Sequence, residues 1–239
     1  MLIEAILCPG QFAALKKRDL SGHTAVVFDV FRATSTELTA LANGAESIVP
    51  VGTVEEALAM RKKDASVLLG GERNSFKPDG FDFGNSPLEY TEQQVRGRKI
   101  VHTTTNGTLA LASCSQAKSI YLGALLNLSA LASELACLKP AALLLICAGT
   151  HSHFALEDGI AAGALAAKLL PKSPKLAPSA RACRSIWRSA ERNPAETLAV
   201  TRNALRLRSV GLGEDVTYCS QFDVIDRVAR VEKGEVRLV

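Results

Sequence analysis

The sequence predicts an α/β fold: a three-layer α/β/α arrangement around a mostly parallel or mixed sheet. Three observations predict it. Short apolar runs alternate with amphipathic segments along most of the 239 residues. The runs are unbroken, as strands covered on both faces require. Polar clusters fall where these runs end, the places at which open α/β sheets gather their binding groups. With 47% apolar residues the chain can bury one large core or at most two small ones. It reads as one α/β unit over 1–239, with a subdivision near 171–178 as the single candidate break.

MLIEAILCPG carries Glu4 and lacks a basic flank, so it reads as a first strand rather than a signal peptide. TAVVFDV (24–30) is a strand and ATSTELTALANGA (33–45) a helix stopping at Asn43-Gly44. ESIVPV is a strand, and TVEEALAMRKK is a helix capped by Thr53 with Glu56 three residues on. SVLLG (66–70) is a third strand of this kind, followed by ERNSFKPDGFDFGNSP, a polar, glycine-rich stretch without periodicity. KIVHTT, SIYLG and AALLLICAG continue as strands. NGTLALASC, LSALASELACL and LEDGIAAGALAAKLL are the helices between and after them. PKSPKLAP (171–178) resembles a linker. ARACRSIWRSAERN and AETLAVTRNALRLRSV read as two helices, and VIDRVARVEKGEVRLV as a β-hairpin turning at Lys233-Gly234.

Composition narrows the function classes. The net charge is +4, Lys and Arg are dispersed, and 5% of residues are aromatic. A nucleic-acid binder would show a basic stripe with stacking aromatics; a small, highly anionic substrate suits this modest excess better. The six cysteines form no C-x-x-C pair, and AALLLICAG is too short to span a bilayer, so a reduced, cytoplasmic protein is expected.

Four polar clusters fall at expected strand ends: DVFRATST (29–36), GERN (71–74) with its loop, TTTNGT (103–108) and CAGTHSHFALED (147–158). In an open sheet these ends share one edge and would form one cleft. TTTNGT offers the hydroxyls of Thr103, Thr104, Thr105 and Thr108, the Asn106 amide and the backbone N–H groups at Gly107 as an anion cradle, although an N-cap and turn account for the same residues. Thr34 and Ser35 carry the same ambiguity, and Arg32 beside them supplies a fork matched to phosphate or sulfonate. The candidate acids are Asp29, Glu72, Asp79, Asp82, Glu157 and Asp158. Hard oxygen donors at several strand ends suit Mg²⁺, while Glu157-Asp158 also fit as first-turn acids of a helix. His151-x-His153 lacks a third ligand at zinc spacing. Cys147 has His153 where a cysteine phosphatase has Arg, and Asp29 has Phe31 where aspartyl-phosphate phosphatases have a second Asp. No G-x-S-x-G or G-x-x-x-x-G-K-[ST] motif occurs. The cations of Arg181 to Arg208 read mostly as a solvated helical face.

Taken together, DVFRATST, LLGGER (68–73), GFDFGNSPLEY (80–90), TTTNGT and CAGT…FALEDGIAAG (147–163), with GLGEDVTYC (211–219) more loosely, resemble the 2-phosphosulfolactate phosphatase family. The family's usual GG-x-x-I after GER is replaced by NSFKP (74–78), and His102 stands where an aliphatic residue is usual. The resemblance implies a fold particular to the family. It also implies a Mg²⁺-dependent hydrolase of 2-phospho-3-sulfolactate, a reaction that belongs in some organisms to coenzyme M biosynthesis. On that implication Asp29, Glu72 and Asp158 hold Mg²⁺. Arg32, Thr34, Ser35, Arg73, Asn85, Thr104, Thr105, Asn106 and Gly107 bind substrate, with Lys77 a further donor. Asp29 and Arg32 act in catalysis, and Glu157 or Asp158 orients water or protonates the leaving group; Asp29 as a covalent nucleophile stays open. The expected partner is a small anionic phosphoester, with neither nucleic acid nor membrane, and a homodimer is compatible. A non-catalytic sensor on the same scaffold is the alternative, opposed by acids clustered beside the anion donors. An interaction protein using the Arg-rich C-terminal helices is another.

Overall fold

The computed structural model describes residues 1–172 and 174–239. In chain order the elements are β1 (Leu2–Ile6), α1 (Phe12–Leu15), β2 (His23–Phe28), α2 (Ala33–Ala42), β3 (Ser47–Pro50), α3 (Val54–Lys63), β4 (Leu68–Gly71), α4 (Glu92–Val95), β5 (Lys99–Thr103), α5 (Gly107–Ser113), β6 (Ser119–Gly123), α6 (Leu128–Leu138) and β7 (Ala142–Cys147). They continue with α7 (Leu156–Leu169), β8 (Lys175–Leu176), α8 (Pro178–Ala190), α9 (Pro194–Ala199), α10 (Arg202–Ser209), α11 (Gly213–Cys219), β9 (Ala229–Glu232) and β10 (Glu235–Leu238).

The strands form one sheet in the order β4-β5-β3-β10-β9-β6-β2-β7-β1-β8. β2 and β7 lie side by side in its interior, which is why their sequences are apolar at nearly every position. Alternate residues serve opposite faces. Val26, Phe28, Leu143 and Leu145 pack against α6 and α7 through Leu131, Leu135, Ile160 and Leu165. Ala25, Val27, Leu144 and Ile146 share a second core with Leu38 and Leu41 of α2 and Ala110 and Leu111 of α5. Helices therefore cover both faces, and the fold is the expected three-layer α/β/α. No helix among the described residues is long and apolar enough to cross a membrane.

The sheet is mixed in a way that alternation alone does not disclose. β4, β5 and β3 are mutually parallel, as are β6, β2, β7, β1 and β8. Between the two blocks every step, β3–β10, β10–β9 and β9–β6, is antiparallel. In a flat sheet this odd number of reversals would send the carboxyl ends of the two blocks to opposite edges. Strand twist of roughly 20–25° per step accumulates across the sheet. The core that wraps α2 joins Ile48, Ile100 and Val236 to Ala25 and Val27. The sheet thus bends around α2, and the two sets of carboxyl ends converge.

Local signals held where they rested on a specific bond. Thr53 and Glu56 form the capping box of α3, and Gly44 (φ +92°) follows the end of α2. Lys233 and Gly234 both have positive φ, the backbone of a tight hairpin turn between β9 and β10. Two expectations differ. AETLAVTRNALRLRSV is two helices, α9 and α10, because the Thr201 hydroxyl accepts the Ala204 N–H and starts a new helix. The break at 171–178 straddles Ser173, which lies outside the described residues; beyond it Lys175–Leu176 extends the sheet edge beside β1.

Candidate active site

A cleft of about 460 Å³ opens where the carboxyl ends of β2, β4 and β5 meet. Asp29 reaches it from the end of β2, Glu72 from β4, and Thr104, Thr105 and Asn106 from the β5–α5 turn; Asn85 lines it from the long polar loop. These are sequence-predicted residues that the fold brings together across 77 positions of chain. The far wall comes from Thr150 and His151 after β7 and from Arg202, Asn203 and Arg206 of α10.

Asp29 is buried. Its Oδ1 accepts the Ala33 N–H at 3.3 Å, and Oδ2 has no protein donor among the described residues. Burial pushes its carboxyl up to about 7. The Ala33 N–H opposes that rise, and the nearby charges of Glu72, Glu37 and Glu157 add to it. Both Glu72 oxygens are held by backbone N–H groups, Oε1 by Thr105 and Oε2 by Ser75, each at 2.8 Å. α5 approaches closely because residue 107 is glycine: a Cβ there would lie 2.7 Å from Ala33 Cβ and 3.1 Å from Asp29 Oδ2. Asn106 stands at the N-cap of α5, yet its side chain does not cap; Oδ1 accepts the His151 N–H instead. The N–H groups of Asn106 and Gly107 have no protein acceptor among the described residues.

Arg32, preceded by a cis peptide bond, is buried at the cleft floor, but its guanidinium is not free. Nη1 donates to Asp215 Oδ2 at 2.5 Å and Nη2 to the Ser75 carbonyl at 3.3 Å. Asp215 also accepts from the Ser86 hydroxyl. Thr34 and Ser35 lie outside the cleft lining. Thr34 Oγ1 accepts the Asp29 N–H and sits 2.8 Å from the Gly123 carbonyl, and Ser35 donates to the Val30 carbonyl. The hydroxyl cluster therefore fastens the β2–α2 turn, the plainer of its two readings.

The remaining candidates also lie outside the lining. Arg73 turns to the back of the β5–α5 turn, where it donates to the carbonyls of Glu72 and Gly52 and to Thr103 Oγ1. Lys77 is exposed and contacts the Asp82 carbonyl. Asp158 spends both oxygens on backbone, accepting the N–H groups of Val30 and Gly149 at 2.9 Å each, and so ties the ends of β2 and β7 together. Burial and its neighbours Glu157 and Asp29 push its carboxyl well up against those two donors. Glu157 sits one hydrogen bond behind the cleft wall, receiving Asn203, which also bonds Thr150. Burial raises its carboxyl as well, with its own backbone N–H, Asn203, Thr201 and Arg202 opposing.

Residues 12–234 match the family model described as 2-phosphosulpholactate phosphatase. The chain belongs to that family. A probable 2-phosphosulfolactate phosphatase of Thermotoga petrophila is 44% identical over 211 residues, which cover 88% of this chain and 90% of that protein. Proteins of the same description from Caldanaerobacter subterraneus subsp. tengcongensis and Symbiobacterium thermophilum are 38% and 39% identical, over 95% and 92% of this chain and 95% and 96% of theirs. The family's matched span contains the whole cleft, including residues that sequence reading passed over. Arg202 and Arg206 stand one helical turn apart in RNALR, and Asp215 lies in GLGEDVTYC, the motif that resembles the family more loosely. The signal for the arginines was their spacing, obscured by the other cations around them.

The donor chemistry of the cleft bears on the Mg²⁺ that the family resemblance implies. Among the described residues no group of three or more His, Cys, Asp or Glu is placed to hold a metal. The acids lining the cleft are two hard carboxylates, Asp29 with an oxygen free of protein donors and Glu72 with a fixed orientation. That set fits Mg²⁺, which binds through one or two carboxylates and completes its shell with water and substrate oxygens. It does not fit zinc, which takes more protein ligands and prefers nitrogen and sulfur.

Proposed function

We propose that this chain hydrolyses 2-phospho-3-sulfolactate to 3-sulfolactate and inorganic phosphate, with Mg²⁺ held by Asp29 and Glu72. The observation that carries this reading is the convergence of these two carboxylates with the Thr104–Asn106 turn in one cleft, in a chain whose relatives are named for that reaction. Bound there, the cation would polarise the phosphoryl group and offset its charge.

The chain's own groups do the rest. Thr105 and Ser75 hold Glu72 in one orientation. The unfilled N–H groups of Asn106 and Gly107 donate to phosphoryl oxygens as charge spreads onto them. Arg32 has two of its five donors committed; Asp215 orients the fork, and the remaining donors face charge in the transition state. Water attacks phosphorus, the bond from phosphorus to the C2 oxygen breaks, and the leaving alkoxide takes a proton. The proton lost by the attacking water reaches that alkoxide through solvent in the open cleft, and Glu157 acts from behind the wall by holding Asn203 in place. A sensor would have no use for two carboxylates beside its anion donors. The reaction is assigned to the cytoplasm, in keeping with six free thiols, and to coenzyme M formation where that pathway exists.

Phosphate release from phosphosulfolactate decides the matter. Turnover that requires Mg²⁺ and stops with EDTA is expected. A folded sample without such turnover would overturn the enzyme reading, and turnover that persists in EDTA would overturn the cofactor.

A further inference from the structure

The cleft contains three guanidinium groups, and they are not electrically equivalent. Arg32 is buried and paired with Asp215. Arg202 and Arg206 are exposed on α10, and every acceptor they reach is uncharged. Arg202 Nη2 lies 3.4 Å from the Thr150 carbonyl. Arg206 donates to the Asn74 carbonyl at 3.0 Å and to Ser75 Oγ at 3.3 Å. They sit four residues apart, so both heads rise from one face of the helix, and that face lines the cleft that holds Asp29 and Glu72. Two guanidinium groups whose hydrogen bonds all go to neutral acceptors are poised to exchange them for anions, since a charge-assisted fork is roughly twice as strong as a neutral hydrogen bond.

We infer that Arg202 and Arg206 form a second anion subsite, which binds the carboxylate and sulfonate flanking the phosphorylated carbon and selects substrates carrying both. The inference rests on the proposed reaction and deepens it. Phosphate is met by the Asp29–Glu72 end of the cleft, and the two monoanions of the tail need cations elsewhere. A planar fork matches the oxygens of both groups. Selectivity among phosphorylated hydroxyacids then resides in α10 and not in the catalytic strand ends.

The test compares kcat/KM for phosphosulfolactate and for phospholactate, which lacks the sulfonate. Substituting Arg202→Met and Arg206→Met together should reduce the preference for phosphosulfolactate roughly 10- to 100-fold, the scale of one hydrogen bond to a charged group. Arg208→Met, on the same helix but outside the cleft, should leave the preference as it is. Calorimetry gives a readout independent of turnover: 3-sulfolactate should bind the wild type and lose that binding in the double variant, with partial recovery in Arg202→Lys/Arg206→Lys. A double variant that folds, judged by its melting temperature, and keeps both the preference and product binding would overturn the inference. A wild type that hydrolyses neither substrate would instead overturn the proposed reaction.

Discussion

At Arg32 a guanidinium, a carboxylate and a backbone carbonyl meet inside the protein, with Asp215 and Arg32 both almost fully buried. A pair this buried is strongly destabilised when one partner goes, because the other is left as an uncompensated charge. Arg32→Lys keeps the charge but loses the fork that serves Asp215 and Ser75 together. It should lower kcat/KM by about 2–4 kcal/mol, roughly 30- to 1,000-fold; near-wild-type kinetics would reduce Arg32 to a structural residue. The metal proposal has its own signature. Glu72→Ala should retain activity that recovers partly as Mg²⁺ is raised, since the deficit lies in affinity. Glu157→Gln, which alters the anchor of Asn203, should instead lower kcat/KM at saturating Mg²⁺ and leave the Mg²⁺ titration as it is. An unchanged Mg²⁺ titration in Glu72→Ala would remove Glu72 from the ligand set. Sequence made Asp29, Arg32, Glu72 and the TTTNGT turn visible because residue type and strand-end position coincided there. It did not separate them from Thr34, Ser35 and Asp158, since a hydroxyl or carboxylate that lines the cleft is identical in sequence to one turned away from it.

Among the elements, strands with two covered faces and the helical character of 195–210 were readable, whereas the break at Thr201, the α11 helix and the part played by the α10 arginines were not. α10 shows why: its exposed arginines look like solvated charge until the loop holding Asn74 and Ser75 is placed opposite them. The α7–α8 pair carries a different lesson, because its closeness hangs on one glycine within an apolar helix. A Cβ at Gly163 would sit 2.0 Å from the Cys183 carbonyl and 2.9 Å from Trp187 Cβ. Gly163→Ala gains helix propensity, about 1 kcal/mol, but must push two packed helices apart, and overpacking of this kind costs roughly 1–3 kcal/mol or more. The contact is with backbone and cannot relax by a rotamer change, so the second effect wins. The melting temperature should fall by a few degrees, about 2–4 °C per kcal/mol for a chain of this size. A rise would show that α7 and α8 have room to spare.

The whole molecule is organised by a sheet whose two parallel blocks oppose one another in direction and still deliver their carboxyl ends to one cleft. Alternation of runs announced an α/β fold and placed nearly every strand; it carried no information about the reversal, which arises because the last hairpin inserts β9 and β10 between β6 and β3. Pairing between segments so distant in sequence is fixed by packing, not by any local pattern. One consequence concerns stability. The converging strand ends bring Asp29, Glu157 and Asp158 together, and burial raises all three carboxyls, with the charge of Glu157 adding to the rise at Asp29 and Asp158. The folded state therefore binds protons that the unfolded chain has released, and stability falls with rising pH wherever the folded state holds the excess. For Asp29 the window runs from its ordinary 3.8 to about 7: the stability it contributes is fully present below the lower value and lost as pH rises through the upper. Ionising such a group costs on the order of 4 kcal/mol. In EDTA the protein should melt lower at pH 8 than at pH 5, and Asp29→Asn, whose Oδ1 still accepts the Ala33 N–H, should flatten that slope and melt above the wild type at pH 8. Mg²⁺ should restore the wild type most strongly at pH 8, where Asp29 is ionised, and should shift Asp29→Asn little. Equal pH slopes for the two proteins in EDTA would mean that Asp29 ionises freely in the fold, and equal Mg²⁺ shifts would place the cation away from Asp29.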